Sequence, residues 1–314
     1  MVRLRFLNPY LPWIALVLAI LVVGLFDARF LDPMTLIGLM ADNATLFVMA
    51  LGMTFVIYVG SVDLSMQSVA AVASIVLALL LPEYGLAAIP AAIVIGGLLG
   101  LLSGFVHGKL RIPSFVATLA TGGIAATAAL WISGQRAIGI AGDVRNDTLG
   151  WIIGSTLGLP NEIWVSLVVF MLAFVLEQAT PFGKMMKAVG CSEPAATVSG
   201  IRVTRIKLAV FALAGAFAAL SGIMLAGRLS SGTPTIANEF LLPAIAAVVL
   251  GGTSLTGGNG GVLRTLAGTM LIAVFRTGMT FVGVNALAQQ IVFGTILILA
   301  VCLNSGHAPK GVMK

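Results

Sequence analysis

Long apolar runs separated by short polar breaks fill almost the whole chain. Ten runs stand out, at 7–26, 44–60, 64–81, 86–106, 114–133, 163–179, 208–226, 241–252, 262–282 and 286–303. Most carry about 17–21 residues, the length a helix needs to cross about 30 Å of hydrocarbon. The second and third together cover 44–81. As one helix that stretch would be about 57 Å long, so the chain must turn, and Gly60-Ser61-Val62-Asp63-Leu64-Ser65 is the polar break that allows it. The eighth run, at 12 residues and about 18 Å, is too short to cross alone, and it leads into the glycine-rich stretch Gly251 to Gly261, which cannot be regular helix. Irregular backbone at that depth needs burial in protein or contact with water. The pattern predicts an all-α, polytopic membrane protein of about ten spans, some short or broken, forming a single domain over 1–314.

Composition fits that pattern. Apolar residues make up 59% of the 314, charged residues only 9%, and mean hydropathy is +1.11. A water-soluble domain carries about 25% charge, so this chain takes lipid as its solvent. The charges also orient it. Segments that alternation places inside hold Arg3, Arg5, Lys109, Arg111, Lys184, Lys187, Arg202, Arg205, Lys207, Arg264, Lys310 and Lys314. Outer segments hold Arg29, Arg136, Arg145 and Arg228, and Arg276 falls within a span. The excess of cations on one side predicts cytoplasmic N- and C-termini. Run 7–26 ends in Asp27, Arg29 and Asp32 with no small-residue cleavage site, which reads as an anchor and not as a removed signal. Cys191 and Cys302 are distant, as are His107 and His307, so neither pair suggests a disulfide or a metal site. No phosphate-binding loop, HExxH or paired-carboxylate spacing is present.

Three polar breaks carry candidate function. The loop 180–207 is strongly basic and contains its own short helix signal. Ser192 is placed to cap, Pro194 sits in the first turn, and Gly200 can end a helix over 193–199. Such a helix on a basic face is shaped to dock another protein; the plainer reading is a loop whose charges only set orientation. Asp63 reads as an N-cap for the third run, accepting from N–H groups near Ser65 and Met66, or as part of a broken helix beside a polar pathway. Gly96, Gly100 and Gly104 recur every four residues and predict close packing of the fourth run on another helix. Thr118 and Thr121 are expected to bond back to their own helix. Segment 134–161 is polar and placed outside.

Several stretches together resemble the permease subunits of bacterial sugar importers of the ATP-binding cassette class, those for ribose, arabinose, xylose and galactose. The family's turn around Asp63 appears as Gly60-Ser61-Val62-Asp63-Leu64-Ser65-Met66-Gln67-Ser68, departing at Ser61 and Gln67, where glycine is usual. Its cytoplasmic stretch appears in Ala188, Gly190, Ala195, Ala196, Ser199, Gly200 and Ile201, and its late glycine-rich stretch runs unbroken from Ala244 to Gly260. The likeness covers about residues 40 to 305.

That resemblance implies a transport subunit of the bacterial inner membrane, with no catalysis or cofactor of its own. ATP and Mg would be bound by a separate cytoplasmic ATPase. Gly190, Glu193, Ala195, Ala196, Ser199 and Gly200 would form the coupling element that meets it. A periplasmic or extracellular sugar-binding protein would deliver the substrate, and a second permease chain, identical or related, would complete the pathway. Asp63, Ser65, Asn285 and Gln289 are the candidate pathway residues. Nucleic acid is not an expected partner. The competing reading is an ion-coupled carrier, whose charged groups would be sought among Asp63, Glu177 and Arg276, two of them near span ends.

Overall fold

The computed structural model describes residues 10–285 and, beyond them, positions 288, 291, 292, 294, 295 and 298. Six stretches within it are long and apolar enough to cross a membrane. One of them, 66–108, breaks at Gly85 into two helices, because Gly85 adopts a positive φ of 52°. In chain order the helices are α1 (Leu11–Phe26), α2 (Pro33–Tyr58), α3 (Met66–Tyr84), α4 (Ala88–Gly108), α5 (Ser114–Ser133), α6 (Gly142–Ile153), α7 (Asn161–Ala179), α8 (Pro181–Cys191), α9 (Glu193–Val198), α10 (Val203–Leu229), α11 (Leu241–Leu250) and α12 (Val262–Phe281). Nine of the ten expected runs coincide with helices of this bundle; 286–303 extends past the continuously described residues.

Two expectations need correction. Run 44–60 begins eleven residues earlier, because α2 starts at Pro33 and includes Asp42 and Asn43. These polar residues interrupt the hydropathy without ending the helix. Asp42 accepts from the Arg228 guanidinium, and Asn43 Nδ2 donates to the Leu39 carbonyl at 2.9 Å. The outer segment 134–161 is also not simply polar loop. It holds α6, which buries Leu149 and Ile152, and the two-residue strand pair Ser155–Thr156 with Leu159–Pro160. Another short pair joins Ile138–Gly139 to Ser231–Gly232.

The core lies along α2 and α10, which are apolar on every side and surrounded by other helices, as such helices must be. Without a hydrophobic drive between helices in lipid, close packing holds them together. The Gly96–Gly100–Gly104 face of α4 meets α10 as expected. A methyl on Gly100 would overlap the Phe211 carbonyl, and one on Gly104 would lie 2.9 Å from Phe211 Cβ. Phe217 of α10 packs on α2, its ring 5.9 Å from that of Phe55. Helix α12 joins α2 through a buried hydroxyl pair, Thr54 with Thr265, at 2.6 Å.

Helix α11 is shorter than a span, and the irregular chain on both sides of it is partly buried in protein, with Ala237 before it and Gly251, Thr253, Gly258 and Gly261 after it enclosed. Residues 233–240 form successive turns that return into the bundle beside Ser74, midway along α3, and Ala237 in them is fully buried. Segments expected on opposite sides of a membrane gather at opposite ends of the bundle. Arg228 joins Asp42 and stands 3.6 Å from Glu162 at one end. At the other, Thr204 Oγ1 reaches the Gly108 carbonyl at 3.5 Å and Ser61 Oγ meets His107 Nε2 at 3.2 Å.

Candidate functional site

The end of the bundle that carries the basic loop holds most of the candidate residues. Local chemistry builds α9. Ser192 accepts from the Ala195 N–H at 3.3 Å, Pro194 lies in the first turn, and Gly200 takes φ 83°. The Gly200 N–H then reaches the Thr197 carbonyl and the Ile201 N–H the Ala196 carbonyl, both at 3.0 Å, which is the paired-bond ending that a left-handed residue permits. The helix stops at Val198, one residue short of the expected 199, and Ser199 is its C-cap.

Helix α9 presents Pro194, Ala195, Thr197 and Val198 outward, and Val198 is 91% exposed. Ala196 corrects the sequence reading. Expected to face a partner, it is 3% exposed and joins the core of its own chain. Glu193 is also engaged internally: Lys207 Nζ at the start of α10 lies 2.5 Å from its carboxylate, so α9 is tied to the bundle. No spacing rule announces that pair; it depends on how α9 folds back.

Asp63 and Ser65 occupy a closed polar turn between α2 and α3. Asp63 Oδ1 accepts from the Ser65 N–H at 2.8 Å and from Ser65 Oγ–H at 2.5 Å. The carboxylate therefore holds the turn that starts α3 at Met66, close to the expected cap, although Met66 N–H is not among its donors. Neighbouring helices complete the turn. Ser114 Oγ accepts from the Val62 N–H at 3.1 Å and Thr118 Oγ1 from the Leu64 N–H at 3.0 Å. Ser65 Oγ lies 3.4 Å from Ser103 Oγ, which meets Thr121 Oγ1 at 2.7 Å. Thr118 and Thr121 do bond back to the Ser114 and Ala117 carbonyls, and they also serve this turn. Asp63 is 1% exposed, so in this conformation it is enclosed by protein.

Asn285 is not near this turn. It follows the far end of α12, a helix about 30 Å long whose first residues lie beside the candidate end. Gln289 lies outside the described residues. Glu177, weighed above as an ion-coupling carboxylate, instead accepts from the Val262 N–H at 2.9 Å and caps α12, where the positive end of the helix dipole favours an anion.

The glycine-rich stretch forms a compact loop between α11 and α12. Ser254 N–H reaches the Asn259 carbonyl at 2.9 Å, and Gly258 N–H donates to the Tyr58 carbonyl at the end of α2, also at 2.9 Å. Cys191 Sγ lies 3.7 Å from the Gly258 carbonyl. The end of α2, the end of α8 and this loop therefore meet beside the α9 helix.

A bundle of long apolar helices with a short helix exposed on a basic loop fits a transport subunit of a membrane. The chain belongs to the family described as branched-chain amino acid transport system / permease component, which matches residues 35–301. It is 34% identical over 295 residues to the ribose import permease protein RbsC of Escherichia coli (strain K12), covering 93% of this chain and 92% of that one. RbsC of Bacillus subtilis (strain 168) is 35% identical over 298 residues, covering 93% and 91%. The L-arabinose ABC transporter permease protein AraH of Azospirillum brasilense is 34% identical over 277 residues, covering 88% and 81%. No solved structure gives a significant match.

Proposed function

We propose that this chain is the membrane-spanning subunit of an importer that moves a monosaccharide or a related polyol into the cytoplasm, driven by ATP hydrolysed in a separate chain. Similarity over nearly the full length to permeases named for ribose and arabinose carries the substrate class. The exposed face of α9, on a loop rich in Lys and Arg, supports docking of the ATPase there. The charge distribution supports ten spans with both termini in the cytoplasm, and the family supports the bacterial inner membrane. That orientation puts α9, the Asp63 turn and the 251–261 loop on the cytoplasmic side, and Arg228, Asp42 and α6 on the side where a sugar-binding protein delivers its cargo. A second permease chain, identical or related, completes the pathway. The loop 180–207 is the coupling element of this single domain, and ATP with Mg belongs to the partner. The ion-coupled alternative is set aside by the family. Its two candidate carboxylates each give one oxygen to the fold, Asp63 holding a turn and Glu177 capping a helix.

The test is reconstitution. The purified chain alone should hydrolyse no ATP above background. In liposomes with its partner ATPase and binding protein, labelled sugar should accumulate only when ATP is supplied. Uptake driven by an imposed ion gradient without ATP would refute the reading.

A further inference from the structure

Only Ser192 separates α9 from α8, so a displacement of α9 passes directly into α8. Helix α8 seats itself through one face. Gly183, Met186 and Gly190 recur at i, i+3 and i+7, and Met186 is fully buried. A methyl on Gly183 would overlap the Glu177 carbonyl at the end of α7. A methyl on Gly190 would overlap the Tyr58 carbonyl and come within 2.5 Å of the Gly258 nitrogen. The loop closes in from the other side. A methyl on Gly257 would lie 2.7 Å from the Gly60 nitrogen and 2.9 Å from the Gly190 carbonyl, and one on Gly258 would lie 2.8 Å from Cys191 Cα. Three main chains meet here, with Cys191 Sγ the side-chain atom set against Gly258, and the Gly258 N–H bond to the Tyr58 carbonyl pins two of them together.

Side chains between two elements can change rotamer and absorb a small shift. Backbone held directly on backbone has no such freedom, and packed interiors transmit strain. From this point the chain leads two ways. Tyr58 continues through Gly60 into the Asp63 turn and α3. Gly258 continues back to α11 and forward to α12, whose first turn Glu177 holds.

We propose that the backbone junction of Gly190, Gly257 and Gly258 on the Tyr58 carbonyl is the stiff link that turns motion of α9 into motion of the two broken crossings, the α2–α3 turn and α11. Its glycines are positioning residues: they touch no substrate and act by letting three backbones move as one body. The proposal rests on the reading that α9 docks an ATPase.

The test uses the whole transporter, permease with ATPase and binding protein in liposomes. Gly190 lies in a helix and its φ is not positive, so Gly190→Ala adds only the obstructing methyl. Gly123→Ala, whose methyl would meet nothing within 4 Å, is the control. Because Gly190 also belongs to the coupling element, every rate is counted per ATPase bound to the permease. In Gly190→Ala the stimulation of hydrolysis by loaded binding protein, and the sugar moved per ATP, should fall about tenfold or more per bound ATPase, within the range of ordinary coupling between sites. Normal stimulation and normal sugar moved per ATP in the bound fraction overturn the proposal.

A second measurement needs no variant. Amide exchange of the segment containing Gly258, followed with and without nucleotide, should show the same protection in both states. Exchange that rises when nucleotide binds means that the link opens in each cycle, which also overturns it. Failure of the underlying reading looks different, because the unmutated chain would then bring down no ATPase.

Discussion

Replacing Asp63 with leucine removes one acceptor that serves two donors. Oδ1 takes both the Ser65 N–H and the Ser65 Oγ–H, in a turn with almost no solvent access. Leucine leaves the buried N–H without an acceptor, at a cost of about 1–3 kcal/mol. The hydroxyl has a fallback in Ser103 Oγ, 3.4 Å away, so its loss is the smaller part, about 1 kcal/mol. The sum is about 2–4 kcal/mol, which lowers the ratio of folded to unfolded protein roughly 30- to 1,000-fold. Asp63→Asn keeps Oδ1 as acceptor. Among the described residues Asp63 forms no ion pair, so removing its charge strands no cation; the new amide N–H finds no acceptor where buried Oδ2 had no partner, but loss of the buried charge offsets this, and the change should cost about 1 kcal/mol. Thermal denaturation of the purified variants in detergent, beside sugar uptake in vesicles, measures both. Wild type and Asp63→Asn should melt close together and transport, while Asp63→Leu should melt well below them and fail. If Asp63→Asn abolished uptake in a well-folded protein, the charge itself would be required and the capping account would be wrong.

Two further predictions separate packing from docking. Gly100→Leu should lower thermal stability by about 1–3 kcal/mol or more, because its side chain collides with the Phe211 carbonyl, whereas Gly123→Leu, with open space around it, should leave melting unchanged. Val198→Asp changes a fully exposed residue of α9, so melting should hold while co-purification of the ATPase falls about tenfold; Ala196→Trp, at a buried position, should lower both. A Val198→Asp chain that still retained its ATPase would place the docking surface elsewhere.

The solvent, the placement of most apolar helices and the start and stop of α9 to within a residue were legible in the amino-acid sequence. Each depends on chemistry within a few residues. Apolar run length sets a span, and Ser192, Pro194 and Gly200 start and stop a helix through bonds to their own neighbours. Cap positions read well for the same reason, and the carboxylate of Asp63 does hold the turn before α3. Hydropathy misled where tertiary contacts overrode it. The early turns of α2 stay helical because Asp42 finds Arg228, and α6 forms in a polar segment because Leu149 and Ile152 find a buried face. Nothing local told that Ala196 turns inward, that Glu193 pairs with Lys207, or that Glu177 caps a helix 85 residues further on. Glycine was the least legible residue. At Gly200 it supplies a left-handed backbone, whereas at Gly190 it supplies absence of bulk. The letter is the same in both places, and only the approach of Tyr58 and Gly258 from distant parts of the chain decides which property is used.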